Sequence, residues 1–284
     1  MAVTSQQDTD LPAQNLTAQK SSLARRPSWL RKAGDPNAPS DRPSADQQSY
    51  WNKIASVYDN FYSDRWSLLE DRLVCHYLGK IDTDPAGTIL DLACGTGHGY
   101  ELLRSSLEVS DYHGLDVSQA MLAELTVKHP GLLAIHGTMD DLSGLPSDSY
   151  GLATVFYSSA SYSADPRNLL LEINRLLEPG GYVYYSVLNR TSLRRIIGFK
   201  RGSLEFYRTR GDTTTNPGVP AIALSRREIR AAAKAAGLEV ISLHGLGALA
   251  GVFQHASAWR LSRLIDVVIP YLGHTQELTA RKVK

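Results

Sequence analysis

The run Ile89-Leu90-Asp91-Leu92-Ala93-Cys94-Gly95-Thr96-Gly97 decides the fold of this chain. It is a short apolar segment with one acid, and a glycine-rich turn follows it directly. Short apolar runs bounded by turn residues are typical of buried strands. Glycine permits backbone geometry that a Cβ would obstruct, so the turn can pass close beneath a bound nucleotide. Because ligands of open α/β sheets bind at the carboxyl ends of the strands, we expect a nucleotide site at this turn.

A second acid, Asp116, closes the next predicted strand, where it is placed either to bridge ribose hydroxyls or to cap the following helix. NAD and FAD enzymes carry G-x-G-x-x-G in the same place, but Tyr100 stands here at the position of the third glycine. A tyrosine would obstruct the close helix–strand packing for which dinucleotide folds use that glycine. The pattern therefore favours a nucleoside cofactor without a pyrophosphate.

With this loop and this second acid, the chain resembles the class I S-adenosylmethionine-dependent methyltransferases. The resemblance covers residues 50–245, and residues 275–283 more loosely. It implies a Rossmann-like α/β fold: a seven-stranded, mostly parallel sheet with helices on both faces, an antiparallel last strand, an N-terminal lid helix and helical insertions. It also implies S-adenosyl-L-methionine as the cofactor and a transferase activity.

The same resemblance assigns the cofactor-binding residues. The turn backbone faces the methionine part and the ribose, Asp116 binds the ribose, and Val117 and Met139 flank the adenine. Tyr58 and Tyr62 lie over the methionine end, where an aromatic ring stabilises a sulfonium cation, although a plain docking helix explains them equally well. The predicted cofactor-binding residues are Tyr58, Tyr62, Asp91, Ala93, Gly95, Gly97, Asp116, Val117, Met139, Asp140 and Tyr157.

The third family motif departs from its usual sequence Gly-Asp-Ala-Glu-Asp-Leu. Residues 137–142 read Gly-Thr-Met-Asp-Asp-Leu, so Thr138 replaces the acid that would accept a hydrogen bond from the adenine amine. Either the Thr138 hydroxyl accepts this bond or Asp140 does.

No catalytic residue can be assigned from the sequence, and the candidates are Tyr157, Tyr162 and His98. Methyl transfer from a sulfonium relies largely on alignment, and it needs a base only when the nucleophile arrives protonated. An Asn/Asp-Pro-Pro-Tyr signature, typical of enzymes that methylate nucleobase amines, is absent after the fourth predicted strand. We expect no metal and no nucleic-acid substrate.

Two insertions are predicted to form a substrate cap, over 190–224 and 246–272. The insertion 190–224 is either a solvent-exposed charged surface or a cap that binds an anionic group of the substrate. Its cationic residues are Arg190, Arg194, Arg195, Lys200, Arg201, Arg208 and Arg210. The second insertion is apolar and helical, and it either walls a pocket or forms the face of a homodimer.

The bulk properties fit one globular domain. The chain has 284 residues, 43% hydrophobic, and a formal net charge of +1, which predicts no general attraction to nucleic acid or to anionic membranes. Its two cysteines are most simply packing residues of a reduced, cytoplasmic protein. Residues 1–47 are predicted to be a disordered leader and residues 48–284 the domain, with a helical lid over 48–80.

Periodicity and capping signals place the elements along the chain. Strands are predicted at 88–93, 112–117, 132–137, 151–158, 182–188, 238–243 and 276–282, and helices at 50–62, 66–79, 97–107, 118–128, 165–177 and 225–237.

Three functions are compatible with these features. The first is a methyltransferase for a small-molecule acceptor, such as an acidic metabolite, an amino-acid derivative or an intermediate of secondary metabolism. The second keeps the cofactor but uses its aminobutyrate chain, as in the intramolecular cyclisation to azetidine-2-carboxylate that releases methylthioadenosine. The third is a non-catalytic cofactor-binding regulatory subunit, against which the intact Asp91, Gly95, Gly97 and Asp116 argue.

Overall fold

A computed structural model describes residues 45–63, 65–82, 87–193, 196, 204–207, 219–249 and 258–283. The predicted leader lies outside the described residues, except for its last three positions, which are already helical. Among the described residues, no helix is long and apolar enough to cross a bilayer.

The N-terminal part is helical, as predicted, with a change of helix type inside the predicted lid. Helix α1 spans Ala45–Ile54, and a 3-10 helix continues it over Ala55–Tyr62. Ser, Asp and Asn side chains, which compete for backbone hydrogen bonds, are frequent in the second part and disfavour a regular α-helix there. Helix α2 follows over Arg65–Leu78.

Strands and helices then alternate along the chain. In order they are β1 (Thr88–Leu92), α3 (His98–Ser106), β2 (Asp111–Asp116), α4 (Gln119–Lys128), β3 (Leu133–His136), β4 (Tyr150–Val155), a 3-10 helix (Ser159–Tyr162), α5 (Pro166–Leu176), β5 (Leu177–Leu188), β6 (Leu204–Tyr207), β7 (Val219–Ile222), α6 (Arg226–Ala235), β8 (Leu238–Leu246), α7 (Trp259–Val268), a 3-10 helix (Pro270–Leu272) and β9 (Thr275–Lys282).

Seven strands form one sheet in the order β3-β2-β1-β4-β5-β9-β8. Strands β1 to β5 pair in parallel, whereas β9 is antiparallel to both β5 and β8. This confirms the predicted Rossmann-like fold and the antiparallel last strand. The sequence did not predict the separate antiparallel hairpin of β6 and β7, which lies within the first insertion.

Alternate residues of the central strands pack on opposite faces of the sheet. Leu90 and Leu92 of β1 belong to one buried cluster together with residues of α5 and α6. Ile89 belongs to the other, which contains residues of α2, α3 and α4. The sheet therefore lies between two layers of helices. The loops at the carboxyl ends of its parallel strands are free of this packing and can form a site.

The predicted helix starts are confirmed in detail. The Ser118 side chain accepts from the Met121 amide, and Asp165 accepts from the Arg167 amide just before Pro166. Ser225 and Glu228 form the predicted capping box.

Three strands differ from prediction by three residues or more at one end, and the first is β8, which runs to Leu246 instead of residue 243. Strand β5 begins at Leu177, directly after α5, so the Pro179–Gly181 segment lies inside the strand. Strand β4 ends at Val155, because Tyr157 and Ser158 both have positive φ (48° and 62°), which a strand does not allow.

Candidate active site

The loops after β1 and β2 surround a cavity at the carboxyl edge of the sheet, and α1 and the 3-10 helix Ser159–Tyr162 complete its walls. The residues that line it are Gln47, Trp51, Tyr58, Ala93, Gly95, Asp116, Val117, Met121, Met139, Ser159 and Tyr162. At one end the cavity continues past Leu115, Gly137, Thr138 and Asp140.

Asp116 is the buried anion of this cavity. Its Oδ2 accepts from the Gly95 amide at 2.9 Å, and its Oδ1 accepts from the Ser118 amide at 2.8 Å. Burial raises the pKa of Asp116, and the backbone amides oppose that rise. An ionised carboxylate has about four acceptor positions, so these amides leave acceptor capacity for a hydroxyl of a ligand.

The two predicted loop glycines have different surroundings. Gly95 has φ +55° and lines the cavity, and a Cβ there would come within 3.7 Å of the Tyr58 ring. Gly97 has φ +98°, and a Cβ there would stand 2.6 Å from Cδ1 of Leu125. The first glycine therefore leaves space beneath the ligand, and the second lets the loop pack on α4.

Asp91 is buried below the loop and does not line the cavity. Its Oδ2 accepts from the Tyr112 hydroxyl and its Oδ1 from the Thr154 hydroxyl, both at 2.8 Å. Burial raises its pKa to about 7. In the structure this side chain joins β1 to β2 and β4, and the loop backbone above it faces the cavity.

The inner end of the cavity holds the altered third motif. Val117 and Met139 give it apolar walls, and both Thr138 and Asp140 reach it. Oδ1 of Asp140 accepts from the Ser163 hydroxyl at 2.7 Å and from the Ala164 amide at 2.9 Å, which fixes the carboxylate. Apolar walls with one fixed acceptor suit a purine carrying an exocyclic amine.

Polar contacts hold the N-terminal helices over the cavity. Gln47 donates to the Tyr162 carbonyl at 2.9 Å, and Oδ1 of Asn52 accepts from the Ser118 hydroxyl at 2.7 Å. Asp59 accepts from the Thr96 hydroxyl and forms an ion pair with Lys128. Sequence reasoning missed Gln47 and Asn52, since an isolated polar residue carries no periodic signal.

An aromatic cluster adjoins the cavity beside Tyr58. The hydroxyls of Tyr58 and Tyr62 are 2.8 Å apart, and burial raises the pKa of Tyr58 to about 12. The Tyr62 ring stacks on His98 with centroids 5.1 Å apart and packs on Tyr157 at 5.0 Å. The structure therefore brings two catalytic candidates, His98 and Tyr157, together around Tyr62, behind the cavity-lining Tyr58.

The third candidate, Tyr162, lines the cavity itself and packs edge-on against Trp51 at 5.3 Å. Asp71 of α2 was not a candidate, yet it accepts a hydrogen bond from the Tyr157 hydroxyl and lies 3.3 Å from Nε2 of His98. Within the described part of the chain, no group of three or more His, Cys, Asp or Glu residues is arranged to hold a metal.

The structure describes only part of the two insertions. Arg190 pairs with Glu228 at 3.0 Å, whereas the other six predicted cationic residues lie outside the described residues. Helix α7 buries its polar Ser262 and Asp266 and exposes Leu261 and Leu264. Both alternatives for this insertion, a pocket wall or a dimer face, stay predictions.

A family model described as a methyltransferase domain matches residues 90–185, which run from β1 to β5 and include most of the cavity. This part of the chain is therefore similar to the methyltransferase domain. The residues present fit S-adenosyl-L-methionine as a cofactor: Asp116 for the ribose diol, the cradle at Gly95 that a Cβ would enter, and the apolar inner end for the adenine.

Similar proteins agree with this methyltransferase assignment. The chain is 29% identical over 161 residues to a malonyl-[acyl-carrier protein] O-methyltransferase of Marinomonas sp. (strain MWYL1), covering 54% of this chain and 58% of the relative. It is 35% identical over 103 residues to a phthiotriol/phenolphthiotriol dimycocerosates methyltransferase of Mycobacterium tuberculosis, covering 35% of this chain and 37% of the relative. The chain thus spans only about a third to three fifths of the length of these relatives.

Among solved structures, the chain resembles the protein solved in complex with the Trm112 methyltransferase activator of Haloferax volcanii. The TM-score is 0.60 at 20% identity, covering 82% of this chain and 98% of that chain. At this identity, the similarity concerns the methyltransferase fold.

Proposed function

We propose that this methyltransferase-superfamily protein transfers the methyl group of S-adenosylmethionine to a small-molecule acceptor. The observation that carries the proposal is Asp116, a buried carboxylate held by the Gly95 and Ser118 amides at the wall of the cavity. When bound, the cofactor supplies a methyl group already activated by a positive sulfur.

The chain's own residues would bind and orient this group. Asp116 would hold the ribose, with Val117 and Met139 around the adenine and the base amine facing Asp140 or Thr138. The backbone of Ala93 and Gly95 would face the methionine part, and Tyr58 would cover it. A face of an aromatic ring stabilises a cation by about 0.5–2 kcal/mol, so Tyr58 and Tyr62 would favour the sulfonium over its neutral product.

The helices that cover the cavity favour a small acceptor. The cavity is roofed by α1 and its 3-10 extension, which polar contacts fasten to Ser118, Thr96 and Lys128. These helices cover one side of the cavity and leave room for a small group rather than a duplex. The relative from Marinomonas is named for O-methylation of a malonyl group, and an acidic acceptor of this kind agrees with the excess of arginine and lysine over 190–210.

The nucleoside that the protein releases tests the proposal. Purified protein is incubated with S-adenosylmethionine and a small-molecule cell extract, and the products are separated by liquid chromatography and mass spectrometry. Release of S-adenosylhomocysteine supports methyl transfer. Release of methylthioadenosine supports the reaction through the aminobutyrate chain, and binding of the cofactor with no product supports a regulatory subunit.

A further inference from the structure

Two polar side chains in the cavity wall are free for a ligand. They are the hydroxyl of Ser159 and the indole N–H of Trp51, and both residues line the cavity. Within the part of the chain that the structure describes, neither group has a hydrogen-bond partner. A tryptophan N–H that is largely enclosed usually finds a partner, so its free state in a cavity wall points to a ligand.

Both groups lie away from the adenine end of the cavity. The inner end, which Thr138 lines, is not lined by Ser159 or Trp51. These two residues share the outer part of the cavity with Tyr58 and Gly95, which face the methionine part of the cofactor in the proposed function. The ligand atoms next to them would therefore belong to the amino-acid end of the cofactor.

A strained turn fixes the position of Ser159. The preceding residue, Ser158, has φ of 62°, a value that residues with a Cβ adopt at an energetic cost and keep only where surrounding contacts over-determine it. Its amide donates to the Ser186 hydroxyl at 2.9 Å, and Ser186 donates to Oε1 of Glu277 at 2.9 Å. The Ser159 amide donates to the Phe156 carbonyl at 2.9 Å. The Ser159 hydroxyl is therefore carried by a backbone that is held on both sides.

Ring packing fixes the position of Trp51. Its ring packs edge-on against Tyr58 and Tyr162, with centroids 6.1 Å and 5.3 Å apart. The helix that carries it is joined to the rest of the protein by Gln47, which donates to the Tyr162 carbonyl, and by Asn52, which accepts from the Ser118 hydroxyl. Because an indole N–H only donates, the ligand atom that it binds must be an acceptor.

The amino-acid end of S-adenosylmethionine carries an ammonium and a carboxylate, and only the carboxylate can accept from an indole. Among the described residues that line the cavity, none is a lysine, an arginine or a histidine. A carboxylate at this place would therefore be bound by neutral donors. Hydrogen bonds from neutral donors to an ionised acceptor are about twice as strong as those between two neutral groups.

We propose that the Ser159 hydroxyl and the Trp51 indole N–H bind the carboxylate of the methionine part of the cofactor. This inference rests on the proposed function, because it requires S-adenosylmethionine in the cavity. With Asp116 holding the ribose, the cofactor would be fixed on both sides of its sulfur. Fixing both sides restricts the direction of the methyl group, on which the alignment of methyl transfer depends.

A pair of cofactor analogues tests the inference without knowledge of the acceptor. S-adenosylhomocysteine carries the carboxylate, whereas decarboxylated S-adenosylhomocysteine keeps the amine and lacks only that group. Calorimetry gives the dissociation constants of both for the wild type, Ser159→Ala, Trp51→Phe and Thr138→Val. Thr138→Val is the matched control, because Thr138 lines the adenine end, which the two analogues share. Each ratio is taken within one variant, so a lower folded fraction does not change it.

We expect the wild type to prefer S-adenosylhomocysteine, and Ser159→Ala and Trp51→Phe each to lose about tenfold of that preference, the effect of one charge-assisted hydrogen bond. Thr138→Val should keep the wild-type ratio. An unchanged ratio in either site variant, or an equal loss in Thr138→Val, would overturn the inference. Equal affinities of the two analogues for the wild type would overturn it too and leave the proposed function intact. If the wild type binds neither analogue, the proposed function itself fails.

Discussion

Gly99 lies directly over Asp91: a Cβ at position 99 would stand 2.8 Å from Oδ2 of that carboxyl and 2.6 Å from the Phe156 ring. The first turn of α3 therefore rests on the end of β1 with no room for a side chain. Asp91 cannot retreat, because Tyr112 and Thr154 both donate to it. This contact sets the position of the loop that carries Gly95 to the cavity.

Gly99→Ala is expected to destabilise the protein by about 1–3 kcal/mol, since the added methyl would overpack the junction. Gly144→Ala is the matched control, because a Cβ at position 144 meets nothing within 4 Å. Urea denaturation measures both. Equal stability of the Gly99→Ala and Gly144→Ala variants would show that the loop can shift freely.

Asn52→Ala is expected to loosen the lid, because Oδ1 of Asn52 accepts from the Ser118 hydroxyl and from the Ala120 amide and so joins α1 to α4. We predict that S-adenosylhomocysteine binds about fivefold more weakly and dissociates faster, because the lost hydrogen bonds contribute about 1 kcal/mol to the free energy of binding. Stopped-flow fluorescence measures the release. The exposed neighbour Lys53→Ala serves as control, and equal release rates in the two variants would contradict a closed lid held by Asn52.

Glu70 makes stability depend on pH. Burial raises its pKa to about 8, while Trp66 donates to its Oε1 at 3.0 Å. In the unfolded chain the group has its usual pKa of about 4.3. At a pH between these two pKa values, the Glu70 carboxyl is neutral in the folded protein and ionised in the unfolded chain. The free energy of unfolding therefore falls as the pH rises from the lower pKa to the higher one.

Glu70→Gln keeps the acceptor for Trp66 and removes this titration. Between pH 6 and pH 8, the wild type should lose about 1–3 kcal/mol more stability than the variant. Urea denaturation at both pH values measures the difference, and it separates Glu70 from Asp91 and Asp266, which titrate in both proteins. Parallel pH profiles for the two proteins would refute the raised pKa of Glu70.

The parts of the site that could be predicted are those set by local sequence. The glycine turn, Asp116 and the Ser118 cap lie at strand ends or helix starts, where backbone geometry dictates the residue type. The dinucleotide pattern places the close helix–strand contact at Tyr100, whereas in the structure Gly99 makes that contact and Tyr100 packs on Tyr112.

The remaining contacts depend on tertiary structure and leave no local pattern. Asp71 meets Tyr157 across 86 positions of the chain, and Gln47 meets Tyr162 across 115. For Asp91, the sequence identified the residue but not the role of its side chain. Its place in the motif was evident, but only the packed sheet shows that its carboxyl joins three strands rather than facing the cavity.

The central claim is that Asp116 binds the ribose of S-adenosylmethionine in this cavity. Its most direct test is the calorimetric affinity of S-adenosylhomocysteine for the wild type, Asp116→Ala and Asp111→Ala. The two acids stand at opposite ends of β2, and Asp111 is exposed. We predict that the Asp116 variant loses about 1–3 kcal/mol of binding free energy, whereas the Asp111 variant binds like the wild type. An unchanged affinity in Asp116→Ala would contradict the assignment of the cofactor site.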